Sequence, residues 1–409
     1  MIYAAVMGYG VVGSGTVEVF YKNRDSVVKK AGQEMDIKKI LDLRDFPDSP
    51  YRDKLTASFD DIINDSEISV VVEVMGGLRP AYDYVKRCLE AGKSVVTSNK
   101  ELVAEKGAEL LAVARAHNVS FLFEASVGGG IPIIRPLYHC LAANDIDEIA
   151  GILNGTTNFI LNKMIKDQMD FEDALSLAQR LGYAERDPAA DVEGHDASRK
   201  VCILASLAFG THVYPDQVPT KGITEITLED VEYASNAGYA LKLIGHIKKL
   251  EGNKIAARVC PMFIPRESQL ASIDDVFNGI LVRGDATGDV VFYGRGAGKL
   301  PTASAVVADM IDVVRHMDTQ SELFWEDGGD DYVIGFAQIE TAFYVRAAVD
   351  SGDAAARVRR VFPDVKLLNK LSAVADGFAF ITEKLPEEQF YAKLADCGIA
   401  AQAVIPVFE

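Results

Sequence analysis

Asp196 and Lys200 stand four residues apart at the start of the apolar run VCILASLAFG, so on a helix they share one face at its polar mouth. On an exposed helix such a pair is a salt bridge worth a few tenths of a kcal/mol. The apolar continuation predicts a largely buried helix instead, where a carboxylate beside an ammonium becomes a candidate acid–base pair. The preceding segment Gly182-Tyr183-Ala184-Glu185-Arg186-Asp187-Pro188, and then Asp191, supply further carboxylates. His195 is the rival base, but one helical step from Asp196 turns it roughly 100° away from that face.

Four other groupings carry chemistry. Gly8-Tyr9-Gly10-Val11-Val12-Gly13 is a G-x-G-x-x-G after an apolar run. Its first glycine permits a tight turn, its second lets backbone approach a pyrophosphate, and its third lets a helix pack on a strand. At the end of the second strand, Asp42 would bind the ribose 2′-hydroxyl of NAD, whereas Arg44 would pair with the 2′-phosphate of NADP; both are present. Thr97-Ser98-Asn99-Lys100 ends the strand-like SVV, which puts Lys100 on the ligand side of an open sheet. Glu124-Ala-Ser-Val127-Gly-Gly129-Gly-Ile131 combines one carboxylate with closely turned carbonyls, donors that suit a hard cation. Asn154-Gly155-Thr156-Thr157-Asn158 leads into a helix that it can cap, and its small polar groups could hold a zwitterion.

The elements that must position these residues alternate. Apolar runs at 2–7, 37–43, 68–75, SVVTSN and VSFLFEA are separated by helical patterns at about 11–30, 80–91 and 101–116. That rhythm predicts an α/β fold with a doubly wound, mostly parallel sheet over 1–145. Longer helical stretches and then strands follow, predicting a second, α+β domain over 146–300. A helix at 301–320 returns to the first domain. WEDGGDDY (325–332) is the best linker candidate, and 330–409 suggests a βαββαβ module.

Composition bounds the rest. The 409 residues, 49% hydrophobic and 25% charged, suit a globular chain of two or three domains at roughly 150 residues each. A net charge of −18 without a basic cluster argues against nucleic acid. No apolar run reaches the ~18 residues of a membrane span, and MIYAAVMGYG lacks the basic region of a signal peptide. Cys88, Cys140, Cys202, Cys260 and Cys397 have no zinc spacing and read as reduced thiols, so a cytoplasmic location is expected.

Taken in order, GYGVVGSG, TSNKELVAEKG, FEASVGGGIPIIRPL, GILNGTTNFIL, LGYAERDPAADVEGHDASRK and GRGAGKLPTASAVVADM resemble homoserine dehydrogenase over most of residues 1–320. The resemblance implies a Rossmann-type first domain and a substrate-binding and oligomerisation second domain. It implies hydride exchange between NAD(H) or NADP(H) and the 4-carbon of L-homoserine or L-aspartate 4-semialdehyde, in biosynthesis of threonine, methionine and isoleucine. Lys200 then matches the acid/base, with Asp196 beside it and Lys100 as the second active-site lysine. Glu185 matches the carboxylate that binds the substrate ammonium, Asp191 a supporting acid, and Gly155, Thr156 and Tyr183 the substrate surroundings. Gly8, Tyr9, Gly10, Val11, Val12, Gly13, Arg44, Ser98, Lys100 and Gly296 match the cofactor site. Glu124, with the backbone of Val127, Gly129 and Ile131, matches a monovalent cation site for sodium or potassium. A dimer or tetramer is implied.

The tail resembles an ACT-type regulatory module, which implies an amino-acid effector such as threonine. It departs from that family where Asp350-Ser-Gly352-Asp353 lacks the usual proline. Two rivals stand beside this reading. A non-catalytic NAD(P) sensor would have an eroded second domain, and a semialdehyde-oxidising enzyme would need a cysteine nucleophile in a glycine-rich turn.

Overall fold

The computed structural model of the chain describes residues 1–252, 254–319, 323–329, 331–348, 353–369 and 377–408. The Asp350–Gly352 turn, and residues 370–374 of an expected strand over KLLNKLSAV, lie outside the described residues.

Six strands form the first sheet: β1 (Ile2–Met7), β2 (Met35–Leu41), β3 (Leu55–Thr56), β4 (Ile68–Glu73), β5 (Ser94–Thr97) and β6 (Phe121–Leu122). Their order is β3-β2-β1-β4-β5-β6 with every neighbour parallel. Val70, Val71 and Val72 are each 0% exposed, so β4 is buried on both faces, and this is why it reads as one β-branched run. Strand order reverses between β1 and β4, opening a crevice at their carboxyl ends. The helix expected over 11–30 is two, Val11–Lys22 and Arg24–Ala31, broken at a non-helical Asn23. The returning helix, Lys299–Arg315, packs on the first of these. A Cβ at Gly15 would lie 2.8 Å from the Lys299 carbonyl oxygen.

VSFLFEA yields only the two residues of β6, because the Asp309 carboxylate takes the Glu124 N–H at 2.8 Å and the chain turns into a short 3-10 segment, Glu124–Ser126.

The second sheet is antiparallel, in the order β11-β10-β7-β8-β9: β7 (Ile146–Ile152), β8 (Tyr239–Leu250), β9 (Lys254–Pro265), β10 (Phe277–Gly284) and β11 (Gly288–Arg295). Helix His195–Phe209 lies close on it, since a Cβ at Gly245 of β8 would sit 2.5 Å from Val201 and 2.8 Å from Leu153.

After the β12 (Glu340–Thr341) stub come β13 (Phe343–Ala348), helix Ala354–Val361, β14 (Lys366–Leu368), β15 (Gly377–Ile381), the β16 (Leu385–Pro386) stub, helix Glu387–Asp396 and β17 (Ala401–Pro406). The sheet order β14-β15-β13-β17 is antiparallel, so the βαββαβ succession is present. The module is tied down. Phe408 N donates to the Phe263 carbonyl at 2.9 Å, and Arg346 reaches Asp230 of helix Leu228–Ala237 at 2.7 Å. The expected linker is also pinned: Trp325 is 1% exposed and donates to His212 Nδ1 at 2.8 Å. Among the described residues no helix is long and apolar enough to cross a membrane.

Candidate active site

Gly194, at φ +88°, turns the chain into helix His195–Phe209, and Asp196 and Lys200 project from its first turns. Lys200 Nζ donates to Asp196 Oδ2 at 2.8 Å and to the carbonyl of Leu153, just past β7, at 2.7 Å. The other oxygen of Asp196 faces Lys100 Nζ at 2.7 Å, delivered by helix Lys100–Ala116 beyond β5. Asp196 is therefore the bridge between two lysines that come from the two sheets. Asn154 completes the cluster, its Nδ2 donating to Asp191 at 2.7 Å and to Asp196 at 3.0 Å. Lys200 and Asp196 are buried, while the side chain of Lys100 is 39% exposed and opens the cluster to solvent.

The environment separates the two amines. Burial pulls the proton affinity of Lys200 below the ordinary lysine value, and Lys100 adds to this against the opposing charge of Asp196. The charge of Asp196 raises that of Lys100. Burial works to raise Asp196, but the two ammonium groups outweigh it and hold the carboxyl well below the usual range. Burial pushes Asp191 up. Of the two amines, Lys200 is thereby the weaker base and Lys100 the stronger. His195 points away, its side chain 56% exposed and 3.1 Å from Glu193.

Helix Gly155–Asp167 starts beside this cluster, capped by Asn154 Oδ1 accepting from Thr157 N at 2.8 Å. Gly155 has no room for a side chain, since a Cβ would lie 2.7 Å from the Val276 carbonyl. Thr156 Oγ1 donates to the Tyr183 carbonyl at 2.6 Å, which ties the Tyr183–Glu185 turn to the helix start. Glu185 stands exposed at this rim, and its carboxylate accepts no hydrogen bond among the described residues.

At the crevice, Gly8 takes φ +98°, and a Cβ at Gly13 would lie 1.9 Å from the Gly8 carbonyl, so strand and helix touch there. Gly10 opens the helix with no side-chain cap, and a Cβ on it would meet only Arg44, at 3.7 Å. Val11 is exposed and Val12 packs partly into the core. The glycine cradle and free helix N-terminus fit a pyrophosphate. Asp42 and Arg44, alternatives in sequence, form a pair: the guanidinium donates at 2.9 and 2.8 Å, and Tyr9 N donates to the same carboxylate at 2.7 Å. Arg44 stays 63% exposed. Ser98 N reaches the Glu73 carbonyl at 3.4 Å.

Glu73 was not marked by sequence reasoning. Fully buried at the end of β4, it accepts from Thr97 Oγ1 at 2.6 Å and from the N–H groups of Met75 and Gly76, locking two crevice loops together. A lone acid inside the apolar ISVVVEVM run was the available signal.

The glycine turn approaches its own protein: a Cβ at Gly129 would lie 2.3 Å from the Gly296 carbonyl, and Gly130 N donates to Arg295 at 3.0 Å. This brings the Val127–Ile131 turn against Gly296. The Glu124 side chain folds back onto the chain that follows the glycine turn. Its oxygens accept from the N–H groups of Ile133, Ile134 and Arg135 at 2.6, 2.8 and 2.9 Å, so the carboxylate is occupied by amide donors. Among the described residues no group of three or more His, Cys, Asp or Glu forms a metal site. Arg135 and Asp309, which brace this turn, were also missed; they pair across 174 residues.

The cysteine-nucleophile rival finds no support in the thiols. Cys202 is fully buried inside helix His195–Phe209 with its proton affinity raised by burial, and Cys88 is pushed up to about 12.

Comparison with known proteins agrees with this geometry. The homoserine dehydrogenase NAD-binding domain matches residues 8–124 and the homoserine dehydrogenase domain residues 132–311. The homoserine dehydrogenase of Bacillus subtilis (strain 168) is 43% identical over 321 residues, 77% of this chain and 73% of its own. The crystal structure of a homoserine dehydrogenase from Thiobacillus denitrificans has a TM-score of 0.92 at 36% identity, covering 100% of this chain and 98% of that one. A hyperthermophilic archaeal homoserine dehydrogenase mutant in complex with NADPH gives 0.65 at 28% identity, over 76% of this chain and 97% of that one. With both domains matched in order and the buried lysine–aspartate pair at their meeting point, the chain belongs to the homoserine dehydrogenase family.

Proposed function

We propose that this homoserine dehydrogenase runs its reaction, between L-homoserine and L-aspartate 4-semialdehyde, with Lys200 as the group that exchanges a proton with the substrate 4-oxygen. The observation that carries this is the Lys100–Asp196–Lys200 chain, in which one buried amine has a lowered proton affinity and the other is fixed as a cation. The bound nicotinamide supplies or takes the hydride. Lys200, held on Asp196 and the Leu153 carbonyl, gives a proton to the developing alkoxide in reduction and removes it in oxidation. Lys100 stabilises negative charge on the same oxygen, since it stays protonated. Glu185 takes the substrate ammonium at the rim made by Gly155, Thr156 and Tyr183, with Asp191 behind it.

The cofactor is NADP(H) in this reading. Asp42 is committed to Tyr9 N–H and to Arg44, so binding a ribose hydroxyl would break that pair, while the exposed Arg44 can turn to a 2′-phosphate. The Gly8–Gly13 cradle takes the pyrophosphate, and Ser98 and Gly296 lie toward the nicotinamide. A sodium or potassium ion would rest on backbone carbonyls of Glu124, Val127, Gly129 and Ile131, adding positive charge that orders the turn beside Gly296. We place the 146–300 region as the oligomerisation domain of a dimer or tetramer and 330–409 as a seat for an amino-acid effector such as threonine. The five free cysteines favour a reducing compartment such as the cytoplasm.

The test follows nicotinamide absorbance with L-homoserine plus NADP or NAD, and with aspartate semialdehyde plus each reduced cofactor, with and without threonine. Turnover favouring NADP is expected. Arg44→Ala should lower kcat/KM for NADP about tenfold or more and leave NAD turnover nearly unchanged. Equal losses with both cofactors would overturn the assignment of Arg44.

A further inference from the structure

Asn154 has no part in the proton transfer proposed for Lys200, yet its side chain touches both carboxylates of the acid–base cluster. Its Oδ1 caps helix Gly155–Asp167 through Thr157 N at 2.8 Å. Its Nδ2 divides its two protons between Asp191 Oδ1 at 2.7 Å and Asp196 Oδ2 at 3.0 Å, the second being the oxygen that also receives Lys200. Asp191 and Asp196 are therefore two carboxylates with a single neutral donor between them. Burial and the charge of Asp196 both push Asp191 toward its protonated form, and the Asn154 hydrogen bond is the contact that opposes them first.

We infer that Asn154 is a positioning residue: its Nδ2 holds Asp191 and Asp196 side by side, and so keeps Lys200 aimed at the substrate oxygen. This rests on Lys200 being the acid/base. The charged groups around the pair come from three elements. Helix His195–Phe209 presents Asp196, Arg199 and Lys200. Helix Lys100–Ala116 presents Lys100 and Glu101, with Glu101 3.3 Å from Arg199. The turn Ala189–Val192 presents Asp191. Lys100 and Lys200 both neutralise Asp196, and Asn154 is the group that couples Asp191 to it.

Capping and bridging can be separated chemically. Aspartate and serine cap a helix about as well as asparagine, but neither offers two N–H protons to two carboxylates. Asn154→Ser should therefore keep a near-parental Tm, while kcat falls about 10- to 100-fold and KM for the cofactor stays within about twofold; Asn154→Asp, which sets a third carboxylate against Asp191 and Asp196, should lose both kcat and stability. The acidic limb of the kcat/KM profile should move to higher pH in both, because Asp191 has lost its donor. A merely structural cap predicts parental kcat and an unmoved acidic limb in Asn154→Ser, and that result overturns the inference even where Lys200→Ala is inactive. An active Lys200→Ala protein would overturn the reading of Lys200, and the inference with it.

Discussion

Two lysines are buried against the second sheet, and burial lowers the proton affinity of both. Lys200 lies where loops from the two sheets meet, sharing Asp196 with the half-exposed Lys100. Lys242, on β8, is 1% exposed and held by Asn158 Oδ1 at 3.0 Å and the Ile273 carbonyl, with Asp274 at 3.6 Å. Asn158 Nδ2 also donates to the carbonyls of Ile273, Asp275 and Phe277, so Lys242 and Asn158 together clamp that turn beneath the helix carrying Gly155 and Thr156. A depressed lysine pKa thus marks burial and does not by itself mark chemistry. What sets Lys200 apart is a second cation and two carboxylates at a mouth that solvent and substrate can reach.

The sharpest break in this comparison is functional. Lys200→Ala should lower kcat by about a thousandfold, leaving cofactor affinity largely intact, because the proton has no other carrier of matched affinity. Its stability cost should be the smaller of the two, since Asp196 keeps Lys100 and Asn154 and the Leu153 carbonyl is the acceptor left without its lysine. Lys242→Ala should behave in the opposite way, losing about 3 kcal/mol in a denaturant titration from the cavity and the acceptors left unpaired. Its kcat should stay within about threefold. A Lys242→Ala protein of parental stability and hundredfold lower kcat would place both lysines in the same class.

Much of the Lys200 side of this contrast is legible in the sequence and almost none of the Lys242 side. Asp196 and Lys200 lie within one helical turn, Gly8, Gly10 and Gly13 within one loop, and Asn154 directly before the helix it caps, so spacing alone reports their geometry. Lys242 meets Asn158 across 84 residues, Thr97 meets Glu73 across 24, and Arg135 meets Asp309 across 174. Contacts of that range are set by sheet topology, which periodicity does not encode. The same limit explains β7 and β10, two strands of the second sheet that no alternating pattern announces. Glu124 is conspicuous in the sequence, but its partners, the N–H groups of Ile133, Ile134 and Arg135, appear only once the turn is folded. Trp325 was the missed warning in the expected linker: an indole in an otherwise acidic stretch buries itself where it can.

The finest distinction between the two lysines is how stability depends on pH. Lys242 has its pKa pulled from 10.5 down to about 8, with burial the leading cause and Asp274 opposing it. Below about pH 8 the amine is protonated both folded and unfolded, so the full cost of a buried charge is present. Between about pH 8 and 10.5 the unfolded chain still binds a proton that the folded chain has released, and folding stability rises with pH. Lys242→Met removes this titration and keeps most of the volume. Its stability relative to the parent should therefore be highest near neutral pH and decline as pH rises through that window, by at most about 1.4 kcal/mol per pH unit. Every other alkaline group, Lys200 included, is common to the two proteins and cancels in the difference. A parent-minus-variant difference in Tm that is flat across the window would mean that Lys242 keeps its proton when folded, held by its acceptors and Asp274, and that of the two lysines compared only Lys200 is prepared for deprotonation.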